Sequence, residues 1–395
     1  MYKQYFEYFS NNKSVYLDNA ATTQKPKEVL HEMNEYYTKY CANTHRSNYS
    51  NANKATTLYE NSRTYLKEFI NAKTESEIIF TKGVTESINF IASSFVQENF
   101  DTVIISELEH HSNIVPWHMQ GRKLHKGLEV VKLDENLNFD LKHFEKLLKQ
   151  HANSFVSISH LSNAFGKILP IKDIVKLSHK YKAVVLVDGA QSLAHFKVDV
   201  KDLNVDFYAI SSHKTFGPTG TGAIYVKQKH LNKLKPYQTG GATINDVSFS
   251  KSTFLDSPFM YEAGTQNIAG VIGFSEALKF LENIGYEQIH KVEKELYLYL
   301  KKELEGIEDI IFYSDSKKSI GSLSFNIKGL NHEDIGILLD KQNILVRCGH
   351  HCAQPIMKKL KIQGTIRVSL AFYNDKYDIN KFIVALKRAI DILKD

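Results

Sequence analysis

The residues with the clearest chemical potential are a lysine and an aspartate, each placed where a run of apolar residues ends. Lys214 follows the apolar segment Phe207–Ile210, and Asp188 closes the apolar segment Val184–Val187. A lysine amine forms a Schiff base only when it is neutral, and partial desolvation favours the neutral form by lowering the pKa. Because an isolated lysine is more often a solvated surface charge, the interpretation depends on the presence of both residues.

Together, the two residues match what a pyridoxal phosphate site requires. A lysine holds the cofactor aldehyde, and a carboxylate keeps the pyridine nitrogen protonated so that the ring can accept electrons.

The segment Thr81–Glu86 follows a third apolar run and contains a glycine before a predicted helix. Free N–H groups at a helix start bind anions, so this segment, with the Thr85 hydroxyl, predicts a phosphate cup. An ordinary helix cap is the alternative reading of the same threonine.

Composition and charge place the chain among ordinary globular proteins. It has 395 residues, of which 43% are hydrophobic and 24% are charged, and this length predicts two domains. The formal net charge of +6 is spread along the chain, which argues against a nucleic-acid partner. No apolar run approaches the roughly 18 residues of a membrane span, so we expect no membrane partner.

The expected location is the cytoplasm, because the first residues lack the apolar core of a signal peptide. An organellar matrix is the alternative if a transit peptide has been removed. The chain has three cysteines, and a low, odd number fits a reducing compartment better than a disulfide framework.

Apolar and helical segments alternate from about residue 15 to residue 285, which predicts an α/β fold with a mostly parallel sheet. Ligands bind such sheets at the carboxyl ends of the strands. The predicted strands are Ile78–Phe80, Val103–Ser106, Phe155–Ser159, Val184–Val187, Phe207–Ile210 and Ala223–Val226, and the predicted helices include Glu86–Phe95, Leu141–His151 and Ile171–Lys180. The remaining chain predicts a smaller α+β domain with helices Tyr286–Leu304 and Asp378–Leu393 and strands Ser322–Asn326, Ile344–Arg347 and Thr365–Ser369.

Several motifs resemble those of one known family. The segments Val187–Gln191 and Ser211–Lys214 are similar to the signatures of class V aminotransferase-type pyridoxal phosphate enzymes. The segment Arg347–Pro355 narrows the resemblance to cysteine desulfurases of the SufS-like group, and the likeness runs from Tyr16–Ala21 to Arg367–Ala371.

The resemblance implies the type I pyridoxal phosphate fold, acting as a homodimer with sites at the interface. A large cofactor-binding domain, residues 15–285, is expected to carry a mostly parallel seven-stranded sheet. A small α+β domain is expected to comprise residues 1–14 and 286–395.

The same resemblance assigns the residues around the cofactor. Asp188 would pair with the ring nitrogen, Gln191 would donate to the ring hydroxyl oxygen, and His110 would stack over the ring and move protons. The implied phosphate ligands are Thr85, Ser211, His213 and, reaching into the neighbouring subunit, Thr265. Val84 stands where the family usually has a second threonine, so one hydroxyl contact is absent.

The resemblance also assigns substrate residues. Arg367 would clamp the substrate carboxylate, because a guanidinium binds a carboxylate in bidentate fashion. The other implied contacts are Asn163 and Arg347, with His45 and Arg46 near the substrate entrance. Cys352 is the implied nucleophile, and its reactive thiolate would be favoured by nearby cationic groups.

A metal site is the competing reading of the cysteine loop, which contains Cys348, His350, His351 and Cys352. The cysteine spacing differs from that of common zinc knuckles, and adjacent histidines point apart on most backbones, so we expect no metal. His110 and His111 also lack a completing ligand nearby. Cys348 is either incidental or a disulfide or redox partner of Cys352.

The implied activity is conversion of L-cysteine to L-alanine, catalysed by Lys214 and Cys352 with His110. Sulfur would remain as a persulfide on Cys352, for transfer to a SufE- or SufU-type acceptor in iron–sulfur cluster assembly. The alternatives are a selenocysteine lyase, an ordinary aminotransferase, which has no need of Cys352, and a non-catalytic sulfur or zinc scaffold.

Overall fold

A seven-stranded sheet forms the centre of the protein in a computed structural model that describes residues 2–96, 99–124, 127–314 and 319–394. Gly222–Val226 runs antiparallel to both of its neighbours, and the other strand pairs are parallel. This arrangement confirms the expected α/β class. The strands, in spatial order, are Ile78–Thr81, Gly222–Val226, Phe207–Ser211, Val184–Asp188, Ser154–Ser159, Thr102–Ser106 and Gly127–Val131.

The apolar runs of the central strands follow from burial on both faces of the sheet. Val185 and Val187 pack into one core, whereas Leu186 packs into the other. The same alternation separates Tyr208 from Phe207 on the neighbouring strand. A sheet covered on both faces needs apolar residues at every position, so its strands read as continuous hydrophobic runs.

Helices cover both faces of this sheet. Ile268–Ile284 is apolar around most of its circumference and packs against two other helices, Lys27–Lys39 and Ser50–Phe69. The helix Leu141–Gln150 begins where the Asp140 carboxylate accepts the N–H groups of two first-turn residues. Among the described residues, the other α-helices before residue 285 are Glu7–Asn11, Val84–Ile91, Val115–Leu124, Ile171–Lys180, Val200–Leu203 and Gln228–Leu231.

A second core lies around a four-stranded antiparallel sheet with the spatial order Ile310–Phe312, Ser322–Ile327, Thr365–Ser369 and Arg347–Gly349. The helices that pack into this core are Tyr286–Glu305, His332–Asp340 and Lys376–Lys394, whereas the buried side chains of Gln354–Lys359 pack into the first core. The division of the chain into two domains at residue 285 stays a prediction. The amino-terminal segment contacts both cores, because Phe6 packs with Phe280 and Tyr373 whereas Val15 packs with Ile344.

Two elements differ from the sequence prediction. The single strand expected at Ile344–Arg347 is two strands, because Ile344–Leu345 pairs with Val15–Tyr16 whereas Arg347–Gly349 pairs with Thr365–Ser369. The helix expected from Glu86 begins at Val84 and gives way to a π-helical turn at Ala92. Within the described ranges, the structure contains no helix of the length and apolarity that crossing a membrane requires.

Candidate functional site

The carboxyl ends of the central strands surround a cavity of about 230 Å³. The residues that sequence motifs had singled out converge there from separate strand ends, as expected for a sheet of this type. The residues of the predicted set that line the cavity are Thr85, His110, Asn163, Asp188, Gln191, Ser211, His213, Lys214 and Arg347.

Lys214 and Asp188 face the same cavity and interact electrostatically. Burial lowers the pKa of Lys214 to about 8, and the attraction of Asp188 opposes part of this shift. Burial raises the pKa of Asp188, against the hydrogen bond from the Ala190 N–H at 2.9 Å. The lysine is therefore close to deprotonation at mildly alkaline pH, and the carboxylate lies in a site where a cationic partner is favoured.

The backbone between Thr81 and Thr85 turns from a strand of the central sheet into the helix Val84–Ile91 beside the cavity, where the anion cup was expected. Gly83 has φ +143°, and the N–H of Val84 donates to the Ser211 hydroxyl at 3.0 Å. A Cβ on Gly222 would lie 2.6 Å from the Gly83 Cα, so this close approach of two chain segments requires glycine. The hydroxyls of Thr85 and Ser112 lie 2.7 Å apart at the cavity wall. The donors and the space fit a phosphate group.

His110 lies at the cavity wall as a neutral imidazole. Burial lowers its pKa to about 3, with a further contribution from the charge of Lys214. Its Nδ1 accepts the N–H of Ser112 at 3.1 Å. The preceding residue, Glu109, is fully buried and accepts hydrogen bonds from Asn113 at 2.7 Å and from the N–H of Ser159 at 2.9 Å. These bonds fix the loop that carries His110.

Arg367 lies behind the cavity and does not line it. It is fully buried; its Nη1 donates to the Asn163 carbonyl at 2.9 Å and its Nη2 to the Asp18 carboxylate at 2.6 Å. Its Nε has no hydrogen-bond partner among the described residues. The Arg367 guanidinium therefore keeps one N–H donor, at Nε, without a partner among the described residues. Arg347, by contrast, lines the cavity directly.

Cys352 lies next to Arg347, whose Nη2 is 3.3 Å from the Cys352 Sγ. Its backbone has φ +55°, a left-handed conformation that a tight turn imposes. Its carbonyl accepts the His111 N–H at 2.7 Å, which joins the cysteine loop to the loop of His110. The Cys352 sulfur is also close enough to influence the pKa of Lys214.

Cys348 has a different environment from Cys352. It packs with the second core, and burial raises its pKa to about 12. A Cβ on Gly336 would lie 2.7 Å from the Cys348 sulfur, so the thiol points toward the helix His332–Asp340, which contains Gly336. Both thiols are free, and no group of three or more potential ligands among the described residues is arranged to hold a metal ion.

The two histidines of the cysteine loop point in different directions. His351 is buried with its Nε2 2.9 Å from the Thr365 hydroxyl, whereas the His350 ring lies against His111 at 5.6 Å between centroids. Their divergence follows from the turn at His351 and Cys352, both of which have positive φ.

Three of the predicted residues lie in a separate cavity. His45, Arg46 and Thr265 line a second cavity of about 710 Å³, which shares no lining residue with the first. The Nε2 of His45 lies 3.2 Å from the Glu60 carboxylate. Their predicted roles at a substrate entrance and at a neighbouring phosphate stay predictions.

Sequence reasoning missed four residues that support the site: Asp18, Lys25, Glu109 and Ser112. Asp18 lies within the segment Tyr16–Ala21, and Glu109 and Ser112 flank His110 and His111 in the sequence. Their proximity to recognised residues was therefore the available signal. Lys25 carried no such signal, because an isolated lysine reads as a surface charge.

The fold and this site define an α/β protein of the type I pyridoxal phosphate class. The chain belongs to the class V aminotransferase family, described as "Aminotransferase class-V", whose model matches residues 15–382. The family prediction is thereby confirmed.

Known relatives narrow this further. The chain is 40% identical over 377 residues to a probable cysteine desulfurase of Halalkalibacterium halodurans, covering 95% of this chain and 92% of that protein. It resembles the apo structure of cysteine desulfurase from Thermococcus onnurineus with a TM-score of 0.94 and 36% identity, covering 98% of this chain and 97% of that one. For the cysteine desulfurase CsdA of Escherichia coli, in an S-sulfonic acid form, the TM-score is 0.91 at 33% identity, with 99% and 98% covered. The SufS-like subgroup stays a prediction.

Proposed function

We propose that this chain is a pyridoxal phosphate-dependent cysteine desulfurase, which converts L-cysteine to L-alanine and retains the sulfur as a persulfide on Cys352. The observation that carries the proposal is the Cys352 thiol, which lies 3.3 Å from Arg347 beside the cavity of Lys214 and Asp188. An aminotransferase has no need of a thiol at this point. The relatives described above carry the desulfurase name, and they do not favour the selenocysteine lyase alternative.

The residues around the cavity suit the cofactor. Pyridoxal phosphate, when bound, supplies an electron sink next to the substrate α-carbon. Asp188 offers a buried carboxylate for the ring nitrogen, and Lys214 offers an amine for the aldehyde. Gln191, whose side-chain N–H₂ donates to the Ala20 carbonyl at 2.8 Å, lies within the same wall and is proposed to serve the ring hydroxyl. The phosphate would occupy the cup of Thr85, Ser211 and His213.

Lys214 is the proposed base for the substrate α-proton. Its pKa of about 8 suits this role, because a base works best when its pKa lies near the working pH. The neutral imidazole of His110 can accept or return a proton at the same cavity wall. Both groups are held in place by the strand ends that carry them, so proton transfer requires no large movement.

The Cys352 thiolate is the proposed acceptor of sulfur. It attacks the substrate sulfur, a new S–S bond forms, and the C–S bond of cysteine breaks. The carbon keeps the electron pair of the broken bond and takes a proton, which yields alanine. Arg347, whose Nη2 lies 3.3 Å from the Cys352 sulfur, would hold that sulfur in place during the attack.

Arg367, Arg347 and Asn163 are the proposed contacts for the substrate carboxylate. Arg347 lines the cavity and supplies a cationic donor there, and the unpartnered Nε of the buried Arg367 offers a second donor behind the cavity wall. Asp18 neutralises part of the Arg367 charge and fixes its plane. Bidentate binding of a carboxylate would then orient the α-carbon.

We further propose that the chain is a cytoplasmic homodimer that serves iron–sulfur cluster assembly. Thr265, His45 and Arg46 lie in a separate cavity, which supports their use in the site of a neighbouring subunit. The Cys352 loop is short and joined to His111, so the persulfide stays near the cavity. A small acceptor of the SufE or SufU type, presenting its own cysteine, would remove the sulfur.

The decisive experiment measures alanine and sulfide from L-cysteine, with and without such an acceptor. The proposal expects equal production of alanine and of persulfide or sulfide, with turnover that rises as acceptor is added. Trapping of persulfide on Cys352 without acceptor is the second expected result. Cofactor-loaded protein that releases no alanine from L-cysteine would refute the activity.

A further inference from the structure

One backbone carbonyl next to Lys214 receives an unusual number of donors. The His213 carbonyl oxygen accepts the N–H of Thr23 at 3.1 Å and the hydroxyls of Thr22 and Thr23 at 3.0 and 3.2 Å. The Lys25 ammonium approaches the same oxygen at 3.0 Å. A carbonyl oxygen has only two lone pairs, so four donors crowd around the His213 oxygen. One of the four, the Lys25 amine, can carry a positive charge.

Lys25 itself has an environment that is rare for a lysine. Its ammonium also donates to the Thr23 carbonyl at 2.5 Å, and it forms no ion pair with a carboxylate among the described residues. Burial lowers its pKa to about 7. A half-buried charge without an anion is costly, and the lowered pKa shows that the surrounding oxygen dipoles offset only part of that cost.

The site of these contacts is the end of a short helical turn, Ser212–Lys214. Cations near the end of a helical turn interact favourably with its free carbonyls. The segment from Thr22 to Lys25 therefore holds the peptide that joins His213 to Lys214, and the Thr22 hydroxyl also lies 3.3 Å from the His213 ring.

We infer that Lys25 is a positioning residue for the active site, on the basis of the function proposed above. By clamping the His213 carbonyl, it fixes the direction in which the Lys214 side chain enters the cavity and the place of the His213 ring. A merely space-filling role would be served equally by an apolar side chain of the same length. The clamp requires a side chain that ends in several N–H donors.

The test compares Lys25→Met, which keeps the length and removes the donors, with Lys25→Arg, which keeps the charge. Lys27→Met is the matched control, because Lys27 is exposed two residues further along the chain. The measurements are the rate of pyridoxal phosphate release from each purified holoenzyme, kcat and KM for L-cysteine, and the melting temperature of each apo protein.

Loss of a charge-assisted hydrogen bond corresponds to roughly a tenfold effect. We expect Lys25→Met to release the cofactor ~10-fold faster and to lower kcat by a similar factor. KM should change less than about twofold, because the arginines proposed to bind the substrate carboxylate make no hydrogen bond with Lys25. Lys25→Arg should restore most of the loss, and Lys27→Met should match the unmodified chain.

Unchanged cofactor release and kcat in Lys25→Met would overturn the inference. A lower apo melting temperature with an unchanged release rate would also overturn it, since that pattern describes a structural role. If Lys25→Met does not fold, Thr22→Val removes one donor from the same carbonyl and must speed cofactor release. An unmodified chain that binds the cofactor but makes no alanine would refute the proposed activity, and the release rates would still decide the role of Lys25.

Discussion

At the scale of single residues, burial tunes Lys214 toward reactivity. Its pKa of about 8 leaves on the order of one tenth of the amine neutral at pH 7 and about half at pH 8. Burial causes the shift, and the charges of Arg367 and Arg347 add to it whereas Asp188 opposes it. The same chain thus supplies both the desolvation that frees the amine and the carboxylate that limits the effect.

The first prediction follows from this pKa. Loading of the apo protein with pyridoxal phosphate should speed up roughly fivefold between pH 7 and pH 8 and level off above about pH 9. Asp188→Asn should shift this profile to lower pH, because it removes the charge that raises the lysine pKa. Visible absorption reports the loading. Lys214→Ala should lack the absorption band of lysine-bound cofactor and should show no turnover, and a variant that keeps this band and its activity would contradict the assignment of Lys214.

The second prediction separates the two cysteines of the loop. Cys352→Ser should bind the cofactor normally and form no persulfide, because the serine oxygen cannot accept sulfur. Cys348→Ala should keep turnover within a few-fold, because its thiol points at Gly336 and burial keeps it protonated. Mass spectrometry of cysteine-treated protein measures the persulfide. Loss of persulfide in Cys348→Ala would mean that the two thiols act together.

At the scale of elements, the amino-terminal end of the strand Phe207–Ser211, at the far end from the cavity, contains a buried charge cluster. Asp206 precedes the strand Phe207–Ser211 and has no exposed surface. Its carboxylate is bonded by His179 at 2.8 Å, His230 at 2.9 Å and the N–H of Val185 at 3.0 Å. Burial alone would raise its pKa, and these bonds outweigh burial and hold the pKa well below the usual value.

The third prediction concerns this cluster. Asp206→Asn should lower the free energy of unfolding by ~3 kcal/mol, since it leaves buried partners without their anion. Because the folded pKa is depressed, the contribution is present above pH 4 or so and should fade as the pH falls further. Urea unfolding at pH 7 and at low pH measures it. Asp202→Asn is the control, since Asp202 is exposed, and an equal loss in both variants would refute a specific role for Asp206.

The elements also show what the sequence could and could not reveal. Strands buried on both faces were readable as apolar runs, and so were the site residues that follow them. The edge strand Gly127–Val131 was missed, because its partly exposed face mixes polar and apolar residues. The hairpin of Ile244–Val247 and Ser252–Phe254 was missed for the same reason. Lys25 was invisible because its role depends on contacts with a turn nearly two hundred residues away in the chain.

At the scale of the whole molecule, two cavities divide the predicted functional residues. The cofactor pair lies in one, and Thr265 lies in the other with His45 and Arg46. Within a single chain, the two cavities share no lining residue, so these two groups of residues belong to separate cavities. A symmetric dimer would reconcile the geometry with the family resemblance if its isologous interface joined the second cavity of each subunit to the first cavity of its partner.

The last prediction tests this arrangement by mixing two impaired variants. Lys214→Ala is expected to be inactive, and Thr265→Val is expected to bind pyridoxal phosphate ~10-fold more weakly, on the scale of one lost hydrogen bond to a charged group. After unfolding and refolding together, a mixed dimer contains one site with the intact Lys214 of one chain and the intact Thr265 of the other. At limiting cofactor, its activity should exceed that of either variant refolded alone. The site with both substitutions stays inactive, so the recovered activity cannot exceed half of the unmodified value per dimer. Activity no greater than the sum of the separate variants, with mixed dimers demonstrated by mass, would show that Thr265 does not serve the neighbouring subunit.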